Sequence, residues 1–307
     1  MPIKSARMNA AFLGLLRLAR PANLPTAMAD ILAGMAIAGL FIMPEGTDGI
    51  SAGTCLSALS LIAASVMLYA GGVILNDVFD LEIDRIERPE RPLPSGMLPV
   101  RTAGFFGAGL LFLGVILSLL ANPVSALIAV FLTISILLYD AYLKKFSFLG
   151  PLGMGVCRSL NLCLGMSLFG EVEYWWFALI PLVYIAAITL ISRGEVHGKN
   201  KNHILMAALM YSLVICSVIA IWLTFEPSRF VVLICLGLFA LMIFKPLLKA
   251  YRINSATHIK RAVMAGVLSL IVLDASLAAV FAPWWYGILI LLLWPLSKML
   301  SRLFAVT

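Results

Sequence analysis

The sequence predicts an all-α fold, a polytopic transmembrane helical bundle of nine to ten spans, and three observations carry that prediction. The chain is 62% hydrophobic and only 12% charged, with a mean hydropathy of +1.04, whereas a soluble domain carries about 25% charged residues. Its apolar residues gather into ten runs long enough, or nearly so, to cross about 30 Å of hydrocarbon as helix. Its basic residues recur between alternate runs, as the positive-inside rule requires of a polytopic chain.

Taken in order, the runs cover roughly 24–43, 53–76, 102–121, 123–140, 149–169, 174–192, 203–224, 228–248, 260–282 and 284–301. The third and fourth are separated only by Asn122-Pro123, which predicts a tight turn. The last two are split at Pro283. With the N-terminus in the cytoplasm, the connections on that side hold all of the 22 Lys and Arg except Arg229 and Arg158. The opposite connections carry Glu45, Asp48, Glu171, Glu173 and Glu226, and aromatics crowd that end at Tyr174-Trp175-Trp176, Trp222 and Trp284-Trp285-Tyr286. An even number of spans follows, with both termini cytoplasmic. Residues 1–307 read as one membrane-embedded domain in a bacterial-type inner membrane, with the motif-bearing region at 20–200 and less diagnostic helices at 203–301.

Other classes are excluded on the same grounds. The net charge of +7 and pI near 9.3 do not indicate nucleic acid, because the positive residues alternate with spans instead of forming one patch. The five cysteines sit in apolar runs without CxxC spacing, so neither a disulfide framework nor a zinc site is expected. Arg17 and Arg20 break the apolar character before the first run, so that run, not a cleaved leader, is expected to serve as the targeting signal.

The densest charge in the chain is Asn76-Asp77-Val78-Phe79-Asp80-Leu81-Glu82-Ile83-Asp84-Arg85, at the end of the second run. On a helix, Asn76, Asp77, Asp80 and Asp84 fall within an arc of about 100°, joined by Glu87, while Glu82 and Arg85 point elsewhere. Acids crowded on one face repel one another unless something positive binds there, and Mg²⁺ takes such carboxylate and amide oxygens. Arg88 and Arg91 follow in a proline-stiffened run, Arg88-Pro89-Glu90-Arg91-Pro92-Leu93-Pro94-Ser95-Gly96, and are placed to return over the acids. Acids, a metal and arginines together make a receptor for diphosphate.

These residues resemble the UbiA superfamily of intramembrane prenyltransferases. Asn76, Asp77, Asp80 and Asp84 match its first aspartate motif, and Arg88 and Arg91 match the basic run behind it. Arg20-Pro21-Ala22-Asn23 is similar to its opening RPxN element, and Tyr139 with Lys144 and Lys145 is similar to its Tyr/Lys element. The resemblance implies a polyprenyl diphosphate donor, Mg²⁺, and transfer of the prenyl group to a hydrophobic, often aromatic, acceptor. On it, Asp80, Asp84, Arg88, Arg91 and Lys144 are the catalytic set. Asn23, Asn76, Arg88, Arg91, Tyr139, Lys144, Lys145, Arg158 and Arg193 are the diphosphate-binding set, and Asn76, Asp77, Asp80, Asp84 and Glu195 the metal set.

The chain departs from that pattern after the sixth run. The superfamily's second acidic cluster is here Ile191-Ser192-Arg193-Gly194-Glu195-Val196-His197-Gly198-Lys199-Asn200, with Glu195 its one carboxylate. Arg193, His197, Lys199 and Lys201 add positive charge that holds phosphate directly if the stretch is functional. Its equivalent placement to the first motif suggests two related halves. The Ser-Arg-Gly-Glu-Val-His-Gly run is similar to the EboC-like branch of the superfamily, which implies a second reading: binding or export of a lipid or secondary metabolite without prenyl transfer. Four further polar residues fall inside spans, Asp30, Arg158, Asn161 and Asp274. Arg158 and Asn161 share a helix face, which leaves open contact with a phosphate or acceptor and pairing with Asp30 or Asp274.

Overall fold

The computed structural model describes residues 13–41, 50–195, 198, 200–226 and 228–304. Its helices are α1 (Leu24–Ile37), α2 (Ala52–Phe79), α3 (Leu81–Glu87), α4 (Val100–Ala121), α5 (Pro123–Ala141), α6 (Leu149–Met166), α7 (Leu179–Ser192), α8 (Lys201–Phe225), α9 (Val231–Ile253), α10 (Ala256–Phe281), α11 (Trp284–Leu291) and α12 (Leu293–Leu303). Among the described residues nine helices are long and apolar enough to cross a membrane. The first run of the sequence gives the shorter α1, of 14 residues. The predicted break near Pro283 separates α10 from α11.

Local chemistry sets the boundaries. Asn122 ends α4 and opens α5: its Oδ1 accepts from Ser125 N at 2.8 Å, its Nδ2 donates to Ser167 O at 2.8 Å, and Pro123 occupies the first helical turn. Ser51 caps α2 by accepting from Thr54 N at 3.0 Å. Arg229, the one basic residue predicted on the far side, donates to Val280 O at 2.9 Å and Ala282 O at 2.8 Å. It thus satisfies carbonyls that the end of α10 leaves open.

Helices near in sequence pack on one another, α2 against α4, α5 against α6, α7 against α8 and α9 against α10, and α10 returns to pack against α1. Helices α1 and α6 cross each other and join the two halves. Each has two apolar faces. Ile31, Met35, Leu164 and Leu168 join the core of the first half, and Ala29, Ala33, Ala36, Leu162 and Met166 that of the second. Lipid tails are as apolar as leucine, so van der Waals packing holds such helices together and small residues allow the closest approach. At this crossing a Cβ on Gly165 would lie 2.8 Å from Ile31 Cα. Up-and-down connectivity gathers the C-termini of α2, α5, α7, α9 and α12 and the N-termini of α1, α4, α6, α8 and α10 at one end of the bundle. All the motif residues named above, apart from Arg158, come from that end.

Candidate active site

The helical hydrogen bonds continue through the acidic stretch, with Asp80 N donating to Asn76 O at 2.9 Å and Asp84 N to Asp80 O at 2.8 Å. The backbone bends at Asp80 (φ −90°, ψ 4°), which ends α2 and precedes α3. Beyond α3 the proline-stiffened run is tied down by Leu93 and Leu98, buried with Leu18, Ala19, Ile74 and Ala103 in a separate apolar cluster. That anchor folds Arg91 back over the acids. Its Nη1 lies 2.6 Å from Asp84 Oδ2 and 3.3 Å from Asp77 Oδ1. Arg20 reaches the same carboxylate from the turn before α1, with Nη2 2.6 Å from Asp77 Oδ1.

The stretch therefore has two sides. Asp77 and Asp84, both buried, hold the guanidinium groups of Arg20 and Arg91. Asn76 and Asp80 face α5 and the turn after it: Asn76 Nδ2 donates to Asp140 Oδ1 at 2.7 Å, and Lys144 Nζ lies 2.7 Å from Asp80 Oδ1. Tyr139 sits one residue before Asp140 and is half-buried, whereas Lys145 is exposed. Glu82 and Arg85 pair with each other at 2.8 Å on the exposed side, away from the site as their helical angle predicted.

Hard oxygen donors are available to a divalent cation. The amide nitrogen of Asn76 is committed to Asp140, which leaves its Oδ1 as the ligating atom, and Asp80 is 24% exposed with an ammonium already at its oxygen. This donor set fits Mg²⁺. Among the described residues no three His, Cys, Asp or Glu side chains converge tightly enough to form a ready metal cage. The acids are instead paired with Arg and Lys, the same groups that would face a bound diphosphate.

A model of the UbiA prenyltransferase family matches residues 31–266. The chain belongs to that family. Among curated proteins it is similar to the digeranylgeranylglyceryl phosphate synthase of Metallosphaera sedula, 36% identical over 143 residues that cover 45% of this chain and 50% of that one. It is also similar to that of Methanoregula boonei, 31% identical over 179 residues, 58% of each chain. The chain thus spans between half and three-fifths of the length of these relatives. Among solved structures it resembles an apo UbiA homologue from Aeropyrum pernix K1, with a TM-score of 0.63 and 19% identity over 84% of this chain and 96% of that one. A UbiA homologue from Archaeoglobus fulgidus bound to DMAPP and Mg²⁺ gives a TM-score of 0.61 and 15% identity over 82% and 98%. At these identities the structural likeness speaks for the fold.

In this UbiA-family chain the stretch after α7 is organised by Asn200. Asn200 Nδ2 donates to Ile191 O at 2.7 Å, and Asn200 N donates to Asn254 Oδ1 at 3.1 Å. The loop lies so close that a Cβ on Gly194 would come within 2.6 Å of Asn200 Cβ. Ile191, four residues before Glu195, is fully buried in the second-half core. Arg193 reaches across to the turn after α5, its Nη2 donating to Phe146 O at 2.5 Å. Burial pushes the Glu195 carboxyl above its ordinary range, with Arg88 and then Lys260 opposing the shift. Arg88 is exposed and, among the described residues, makes no ion pair with Asp77 or Asp84, so of the two arginines only Arg91 closes over the first acids. Val196, His197 and Lys199 lie outside the described residues.

Arg158, grouped with the diphosphate-binding residues on sequence grounds, is placed elsewhere. It is buried at the crossing of α1 and α6, its Nε 2.6 Å from Asp30 Oδ2, and it donates to Thr26 O. Asn161 donates to Asp30 Oδ2 at 2.8 Å and to Ala27 O at 3.0 Å, and accepts from Ser65 Oγ at 2.7 Å. Asp274 from α10 abuts Asp30, and one oxygen of each accepts no hydrogen bond. Of the two alternatives for Arg158 the geometry selects pairing with Asp30. Asn23 lies in the turn before α1, where its carbonyl accepts from Thr26 Oγ1 at 2.7 Å. Two residues at the clasp were not among the sequence-derived site residues: Arg20, signalled by the RPxN element, and Asp140, whose only signal was a carboxylate next to Tyr139 at a span end.

Proposed function

We propose that this protein transfers a prenyl group from a polyprenyl diphosphate to a hydrophobic acceptor within the membrane, with Asn76, Asp80 and Asp84 holding Mg²⁺. The observation that carries the reading is the folding-back of Arg91 over a carboxylate cluster that Arg20 and Lys144 also enter. Membership of the UbiA prenyltransferase family, and the names of the curated relatives, support the reaction class. A bound Mg²⁺ would supply charge neutralisation to the diphosphate.

The chain's own residues do the rest. Lys144 exchanges Asp80, and Arg91 exchanges Asp84, for diphosphate oxygens, while Arg20 and Arg91 keep Asp77 and offer their remaining N–H groups; together they stabilise the charge that grows there as the allylic C–O bond breaks. Asp77, held against two guanidinium groups, positions them and is not a metal ligand in this reading. The apolar bundle excludes water, which would otherwise quench the allylic cation before the acceptor attacks. The charged end faces the cytoplasm, as the distribution of Lys and Arg supports.

A second reading is binding of a lipid diphosphate or metabolite without turnover, and it is favoured by one observation. The stretch at 191–195 contributes a single carboxylate, and Ile191 is committed to the core. Purified protein incubated with Mg²⁺ and labelled polyprenyl diphosphates of several chain lengths, with an acceptor-lipid extract, separates the two. Diphosphate release that chelation with EDTA abolishes is expected. Saturable binding without release at every length would sink the transferase reading.

A further inference from the structure

Asp140 is the one acid of α5 and is only 3% exposed. Its Oδ1 accepts from Asn76 Nδ2 at 2.7 Å, and its Oδ2 is buried without a partner. A buried carboxylate oxygen left unpaired forfeits its hydration without replacement, so the position calls for a positive ligand. The groups around it are Asn76, Asp77 and Asp80 from the acidic stretch, Lys144 from the following turn, and Tyr139 and Cys157 beside it. The Lys144 ammonium lies 2.7 Å from Asp80 Oδ1 and within electrostatic reach of Asp140, so a cation already sits at the mouth of this gap. In sequence the 191–200 stretch offers no second acid beside Glu195, and the positive charges that act on Glu195 are Arg88 and Lys260.

We propose that Asp140 is a metal-ligating carboxylate that supplies, from α5, the acid missing after α7. Together with Asn76 Oδ1 and Asp80 it forms a position for a hard divalent cation, and occupation releases Lys144 toward the diphosphate. The hydrogen bond from Asn76 serves this arrangement by leaving the amide oxygen, not the amide nitrogen, free to ligate. An acid on α5 also explains how the chain keeps its first motif intact beside a second stretch that cannot ligate at Ile191. The proposal rests on the prenyl-diphosphate reading for the use of the cation, not for its binding.

The test is Mn²⁺ binding to the detergent-purified full chain, followed by electron paramagnetic resonance with and without inorganic pyrophosphate. Asp140→Asn is expected to weaken Mn²⁺ by at least about tenfold, as loss of a ligand should exceed loss of a supporting contact. Asp140→Glu should stay within a few-fold of wild type and Glu82→Gln should be unchanged. Because the Asn side chain still accepts from Asn76, unaltered Mn²⁺ affinity in Asp140→Asn would overturn the proposal and leave Asp140 as a residue that only orients Asn76. So would an absence of saturable Mn²⁺ binding by the wild type. Asp140→Cys provides an independent readout should the Asn variant fail to fold: weaker Mn²⁺ with stronger Cd²⁺ is expected, since thiolate prefers the softer ion, and no gain in Cd²⁺ counts against ligation. Mn²⁺ binding that depends on Asp140 in a protein without prenyl transfer would remove the proposed reaction and keep this site. Prenyl transfer with Asp140-independent Mn²⁺ binding would do the reverse.

Discussion

Two clusters in this molecule are built from the same chemistry, carboxylates facing guanidinium groups, and they differ in what surrounds them. At the end of the bundle two pairs reach water, Arg20 being 33% exposed against Asp77 and Asp80 24% exposed against Lys144, while Arg91, 12% exposed, is largely buried against Asp84. At the crossing of α1 and α6, Arg158 is 9% exposed and Asp30 is fully buried, and Asn161, Ser65, Asp274 and two backbone carbonyls surround the pair. A pair open to water loses little when one partner is exchanged for a ligand. A pair in a low-dielectric interior is locked, since removing either partner strands a charge. The difference separates a binding site from a structural clamp that the residue types alone do not distinguish.

The comparison is broken most severely at the clamp. Arg158→Ala should destabilise the protein by about 3–5 kcal/mol, read as a lowered unfolding midpoint in detergent, and adding Asp30→Asn should recover part of that loss. A midpoint unaffected by Arg158→Ala would mean the inner pair is no clamp. At the clasp the expected pattern is reversed: Asp80→Ala should cut prenyl transfer by at least about 100-fold while leaving the unfolding midpoint near wild type. Unchanged turnover in that variant would sink the assignment of Asp80. Gly165→Ala probes the crossing that carries the clamp without touching a charge. Its Cβ meets the α1 backbone, and a cost of about 1–3 kcal/mol in stability is expected. The smallest effect belongs to the exposed Glu82–Arg85 pair, where Glu82→Gln should change stability by less than about 0.5 kcal/mol and leave prenyl transfer unaltered.

The sequence carried the site better on one helix than between helices. Asn76, Asp80 and Asp84 are spaced by one turn, so local periodicity set them apart from Glu82 and Arg85, but their neighbours divided them, Asn76 and Asp80 toward α5 and Asp84 toward Arg91. The return of Arg91 was legible because the proline run restricts the backbone, although the anchor that enforces it, Leu93 and Leu98 in an apolar cluster, was not. Asp140 and Arg20 were missed as site residues because they reach the acidic stretch from 64 and 57 residues away in sequence. Arg158 was given a diphosphate role in the sequence reading because an arginine inside a span is costly anywhere and its partner is not visible in a linear pattern.

Composition and periodicity by themselves determined the fold class, the span pattern, the Asn122 turn and the first motif. Each depends on interactions within one helix or on transfer from water to lipid, and both are encoded locally. The tertiary structure alone decided which carboxylates stay partly open to water and which are sealed. It also decided that Arg91 folds back over Asp77 and Asp84 and that α1 and α6 meet backbone to backbone. Those outcomes depend on which distant helices become neighbours and on how much water remains between them, and that sets the worth of a buried charge.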